Sequence, residues 1–201
     1  MGVGVWHLNE KGTNTNIVDA TTNGLNGKAL ANNGDGVSDG AVGRARLIAA
    51  NNDHAYGIVI DATNGVPQKA VADTLGTDFH ASFWVKAGAA PSPYGCLIAR
   101  RKGDDGYSWG FRFGGDSKQG TTVDYMRVHS DNDNSHNQYS THPLGSWLKQ
   151  NDGVWKKVDL VWKFATNNET PVVNIYTNGV LDEVFTKNPK VRLEDANIGI
   201  G

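Results

Sequence analysis

The chain has 201 residues, 38% of them apolar, and a formal net charge of −2. That length suits one large domain able to bury a core without crosslinks, and the slightly acidic balance carries no basic footprint for a phosphate backbone. One cysteine, Cys96, excludes an internal disulfide, and no apolar run approaches the ~18 residues of a membrane-spanning helix.

In chain order, MGVGVWHLNE has neither a basic region nor an apolar core, so no signal peptide is expected. Within it GVGVWHL (2–8) reads as a first strand. Asn-Gly pairs follow at 23–24, 26–27, 33–34 and 64–65, each supplying positive φ cheaply for a tight turn. YGIVIDA (56–62) is a short apolar run, and VPQKAVADTLG (66–76) hints at a helical turn. In FHASFWVKA (79–87), Phe79, Ala81, Phe83 and Val85 share one face, with His80, Ser82, Trp84 and Lys86 on the other. Cys96 lies between apolar neighbours and reads as a buried, inert thiol. Arg100, Arg101 and Lys102 read as a solvated hairpin end.

YSWGFRFGG (107–115) and VDYMRVHS (123–130) continue the strand pattern, and SDNDNSHNQYSTHP (130–143) is a long polar connection. WKKVDLVWKF (155–164) alternates again, with Val158, Leu160, Trp162 and Phe164 opposing Asp159, Val161 and Lys163. VVNIYT (172–177) meets Asn178-Gly179, the two-residue hairpin signal, with Val173, Ile175 and Thr177 on one face. A period of two throughout predicts an all-β fold: one domain over 1–201, an antiparallel β-sandwich of two facing sheets.

The ordered set GVWHLNE (4–10), VDATTNGLNGKAL (18–30), GAVGRARLI (40–48), FHASFWVKA (79–87), VWKKVDLVWKF (154–164), IYTNGVLDEVF (175–185) and IGIG (198–201) resembles the laminin G-like, concanavalin A-like jelly-roll modules of bacterial and archaeal surface proteins. The resemblance implies a jelly roll at an extracellular or cell-surface location. Two departures stand out. Arg44 and Arg46 flank Ala45 where the family usually has a Lys or Asn and an apolar residue. The family also continues past its Ile-Gly strand to a closing strand beside the first, whereas this chain stops at Gly201. Three expectations stand open: the sequence is a piece cut short of its closing C-terminal strand, a partner supplies that strand, or an edge stays open, and an open edge invites self-association.

Catalysis is not expected. Glycoside hydrolases on this sandwich carry paired carboxylates on one strand face, roughly 5–5.5 Å apart for retention. Here Glu10, Glu169, Glu183 and Glu194 each stand alone, and the histidines show no metalloprotease spacing. Two calcium candidates arise. Asp131, Asp133 and Ser135 alternate as at the start of a calcium loop, although His136 stands where glycine would and no glutamate follows at the twelfth position; a solvated loop is the alternative. The resemblance implies the second: relatives hold Ca2+ near the turn after the first strand, where Asp19 and Asn23 stand. An Asx-turn at Asp19 is the alternative there.

Sugar binding needs aromatic faces beside amides. Trp109, Tyr139 and Trp147 lie in or near the longer loops, with Asn132, Asn134, Asn137 and Gln138 as polar partners. Trp6, Trp84, Trp155 and Trp162 fall on strands, where burial is the ordinary use. The expected function is therefore a non-catalytic module binding glycan or an extracellular protein, with Ca2+ as a candidate cofactor. The alternatives are a structural subunit of a filament or surface layer assembling by edge-strand pairing and, third, a glycoside hydrolase. Neither nucleic acid nor membrane insertion is expected.

Overall fold

The computed structural model describes residues 4–10, 16–29, 36–47, 57–60, 78–86, 96–102, 106–113, 126–129, 138–139, 153–163, 172–186 and 197–200. They form strands β1 (Asn16–Ile17), β2 (Gly27–Ala29), β3 (Gly36–Asp39), β4 (Arg44–Leu47), β5 (Ile58–Ile60), β6 (Asp78–Val85), β7 (Cys96–Lys102), β8 (Gly106–Phe113), β9 (Met126–His129), β10 (Gln138–Tyr139), β11 (Lys156–Lys163), β12 (Val172–Thr177), β13 (Val180–Phe185) and β14 (Asn197–Ile200). No helix occurs among the described residues. The helical hint at 66–76 lies outside them.

Two antiparallel sheets and a ribbon result. The larger sheet runs β1-β2-β5-β14-β7-β8-β9-β10, the smaller β13-β12-β11-β6, and β3 pairs with β4 alone. The IGIG strand thus lies between β5 and β7 inside the larger sheet, while β6 and β13 flank the smaller one among the described strands. Arg100, Arg101 and Lys102 belong to β7, with a ladder irregularity between the two arginines.

Each sheet buries one face. In the larger, Ile17, Leu25, Ala29, Ile58, Ile60 and Ile198 form a cluster against which Trp6, Leu8, Ile98 and Ile200 pack. Gly27 sits within it, and a Cβ there would stand 2.7 Å from Ile60 Cδ1 and 3.1 Å from the Val59 carbonyl oxygen. In the smaller sheet, Val158, Leu160, Trp162, Val173 and Ile175 are all buried. Those are the alternate positions that period-two patterning assigns to one face.

One expected strand is absent among the described residues. Over residues 4–8 the chain makes only an isolated bridge, Trp6 with Asp19. Leu8 adopts φ 56°, a left-handed conformation that an extended run cannot contain. The unusual arginine has a structural use: Arg46 is buried, and its Nη2 donates to the Glu10 carbonyl 2.8 Å away, tying the β3–β4 ribbon to the opening segment.

The β12–β13 hairpin follows its signal. Thr177 pairs with Val180 across a two-residue loop, and Asn178 and Gly179 both take positive φ, 51° and 83°, as a type I′ turn requires. Asn178 also ties this turn to the neighbouring strand. Its Oδ1 accepts the Lys157 N–H at 3.0 Å, and its own N–H donates to the Lys157 carbonyl at 2.9 Å.

Candidate functional site

Asn132, Asn134, Trp147, Asp131 and Asp133 lie outside the described residues. The backbone places Trp109 in β8 opposite Arg100 and Tyr139 in β10 opposite Arg127, with β9 between the two strands. The turn after the opening segment is fully defined and is built around Asp19.

Asp19 is 6% exposed. Its Oδ1 accepts the backbone N–H of Val5 and of Thr21, both at 2.9 Å. Its Oδ2 accepts the Thr21 hydroxyl at 2.8 Å and the Leu25 N–H at 3.0 Å. The Thr21 bond, two residues on, is an Asx-turn. An ionised carboxylate offers about four lone-pair positions, and these four donors meet them; a cation here would have to displace at least one. Burial alone would raise the Asp19 pKa, but the hydrogen bonds from Val5, Thr21 and Leu25 outweigh it and hold the group below the ordinary value of 3.8. Asn23 is exposed, and its N–H donates to Thr21 Oγ1 at 3.2 Å. Around this hub, Trp6 Nε1 donates to the Leu25 carbonyl at 2.7 Å and Asn26 Oδ1 accepts the Asp19 N–H at 3.0 Å. Among the described residues no group of three or more His, Cys, Asp or Glu side chains gathers in a metal-binding arrangement.

A second constellation occupies the solvent face of the smaller sheet. Alternation sends His80, Ser82, Trp84 and Lys86 to one side of β6, all exposed. It sends Lys157 and Asp159 to the same side of β11. The register sets Trp84 opposite Lys157, and Ser82 opposite Asp159. Asp159 in turn faces Tyr176 on β12. Beyond the strand ends, Lys86 Nζ lies 5.2 Å from the Trp155 ring centroid, a cation–π contact that holds the ammonium in place.

Asp159 is the polar hub of this face. His80 Nε2 lies 3.0 Å and Lys157 Nζ 3.3 Å from its Oδ1, and the Ser82 hydroxyl also bonds to it. Burial would raise its pKa; the Ser82, His80 and Lys157 hydrogen bonds, with the Lys157 charge, outweigh that and lower it. The carboxylate side chain is only 12% exposed, whereas those of Lys157 and His80 are 43% and 56% exposed. Trp84 is 47% exposed, which corrects the expectation that a strand tryptophan is buried. Trp162 meets that expectation at 1%, and Trp6 and Trp155 are half-buried. From Lys86 to His80 the face extends about 20 Å, at roughly 3.3 Å per residue.

The ligand candidates that the sequence offers sit in or near loops, and none of them belongs to β6 or β11. The signal was present as alternation in FHASFWVKA, which groups His80, Ser82, Trp84 and Lys86. What alternation could not supply was the β6–β11 register that brings Trp84 to Lys157 and Ser82 to Asp159.

No protein-family model matches the chain, and no curated protein matches it significantly.

Proposed function

We propose that this chain is a non-catalytic recognition module of a surface or secreted protein, binding glycan on the solvent face of its smaller sheet. The observation that carries the reading is Trp84, a 47% exposed indole on a regular strand, bordered by the Ser82, His80, Asp159 and Lys157 network. Sugar C–H groups stack on the electron-rich face of an indole, while neighbouring hydroxyl, imidazole and ammonium groups address the ring substituents. A rigid sheet holds these groups at fixed spacing, which limits the entropy lost on binding.

The supporting scaffold is a jelly-roll sandwich in which the two sheets share their buried faces, as the laminin G-like motif order suggests. The Ser82, His80 and Asp159 trio favours binding over hydrolysis. The Ser82 hydroxyl and the His80 imidazole both bond to Asp159, whereas a serine nucleophile needs the imidazole between itself and the carboxylate. Edge pairing into filaments has less support. β13 turns Glu183 toward the buried side and the β12–β13 ladder is irregular at Ile175/Tyr176, two devices that blunt an edge. The engaged lone pairs of Asp19 leave little for Ca2+ to bind there.

A glycan array probed with the wild-type chain and with Trp84→Ala tests this reading, with and without Ca2+. Specific glycans should bind the wild type, and the variant should lose about tenfold in affinity, roughly 1.4 kcal/mol, with unchanged thermal stability. An array blank under both conditions would overturn the proposal.

A further inference from the structure

The solvent face of the smaller sheet has a charge asymmetry that narrows its ligand. Beside Trp84, the carboxylate of Asp159 is withdrawn beneath its partners at 12% exposure, whereas Lys157 stays 43% exposed and Lys86 is exposed over the Trp155 ring. Strand geometry sets Trp84 next to both lysines: two residues along β6 from Lys86 and directly across from Lys157. Each cation is held by a neighbour, Lys86 by the indole of Trp155 and Lys157 by Asp159. An indole free to stack thus stands between two cations whose positions are largely set before a ligand arrives, so little freedom remains to be lost.

Resting on the glycan-binding reading above, we propose that this platform selects acidic saccharides, with a sugar ring stacked on Trp84 and its carboxylate or sulfate groups engaged by Lys86 and Lys157. Charge complementarity favours this class over neutral sugars: two accessible ammonium groups would otherwise have to be desolvated with no anion to meet them. It is also favoured over a nucleic-acid strand. The chain carries a net charge of −2, and the face supplies three lysines, Lys86, Lys157 and, at the far end of β11, Lys163, in place of the continuous basic groove that tracks a phosphate backbone.

The test uses the full chain in affinity electrophoresis and calorimetry, with polygalacturonate and dextran sulfate as acidic probes, pullulan and β-glucan as neutral ones, and oligothymidylate as a nucleic-acid control. The acidic probes should bind and the neutral ones should not. Binding should weaken as salt rises. Lys86→Gln and Lys157→Gln should each lower acidic-probe affinity about three- to tenfold, and Trp84→Phe should retain more of it than Trp84→Ala. Both lysine variants change exposed or half-exposed side chains, and far-UV dichroism confirms that they fold. Salt-independent binding of neutral polysaccharides, unaffected by either lysine change, would overturn the acidic selectivity while leaving glycan recognition standing. Binding of no saccharide would overturn both. Oligothymidylate binding as tightly as polygalacturonate would also overturn the inference, because the face would then be a general polyanion surface.

Discussion

Asp19 shows how one side chain organises a segment without regular structure. The chain over 4–10 forms no strand, and the turn over 20–26 has no ladder of its own, so their backbone N–H groups need other acceptors. Asp19 supplies them for Val5, Thr21 and Leu25. Asp19→Asn keeps the shape but turns one oxygen into a donor facing donors. The expected cost is on the order of 2 kcal/mol, from charge-assisted bonds lost and buried N–H groups left unpaired, read as a lower urea midpoint. The pH dependence follows from the lowered pKa. A carboxylate held below 3.8 in the folded chain contributes stability that is complete above that ordinary value and lost as pH falls through the folded-state one. Asp159 acts in the same direction. The wild type should therefore lose stability on acidification below about pH 4, and Asp19→Asn should show a shallower loss across that window. Equal slopes in the two proteins would contradict this assignment.

The β12–β13 hairpin displays what was legible in the sequence and why. Asn-Gly between alternating runs announced both the turn and its faces, because a type I′ loop needs two consecutive positive φ values and few residue pairs tolerate them. The bond from Lys157 N–H to Asn178 Oδ1 had no such signal, since it depends on which strand lies beside the turn. Asn178→Gly keeps the backbone conformation and loses only that bond, so it should cost about 1 kcal/mol. Asn178→Ala adds the strain of a left-handed alanine, roughly 1 kcal/mol more. Denaturant titration of the three proteins should rank them wild type, Gly, Ala, and an alanine variant as stable as the glycine one would refute the strain argument. The candidate site divides in the same way. Period two grouped Trp84 with Ser82 and His80 correctly, yet a general preference for burying strand tryptophans concealed its exposure. The opening segment departs from its expected strand for a related reason: GVGVWHL has β-forming residues, but over residues 4–8 tertiary contacts around Trp6 and the left-handed Leu8 override local preference.

At the scale of the molecule, two sheets each bury one apolar face, and a face of that kind is stable only against another layer. The larger sheet contributes Ile58 at 0% exposure and the smaller Leu160 at 1%. If the proposed sandwich holds, these residues belong to one core and one cooperative unit. Ile58→Ala and Leu160→Ala should then each destabilise by about 2–5 kcal/mol. In either variant, made in a background with Trp6, Trp109 and Trp147 changed to Phe so that the remaining indoles (Trp84, Trp155 and Trp162) belong to β6 and β11 or adjoin them, tryptophan fluorescence should shift together with far-UV dichroism, which reports both sheets. Coincidence is the informative outcome, because Ile58 and Trp162 belong to different sheets. A fluorescence transition left in place by Ile58→Ala, with a second transition appearing in dichroism, would mean that the sheets unfold separately and share no core. The rigid platform on which Trp84, Lys86 and Lys157 are held would then have to be explained by the four strands of the smaller sheet alone.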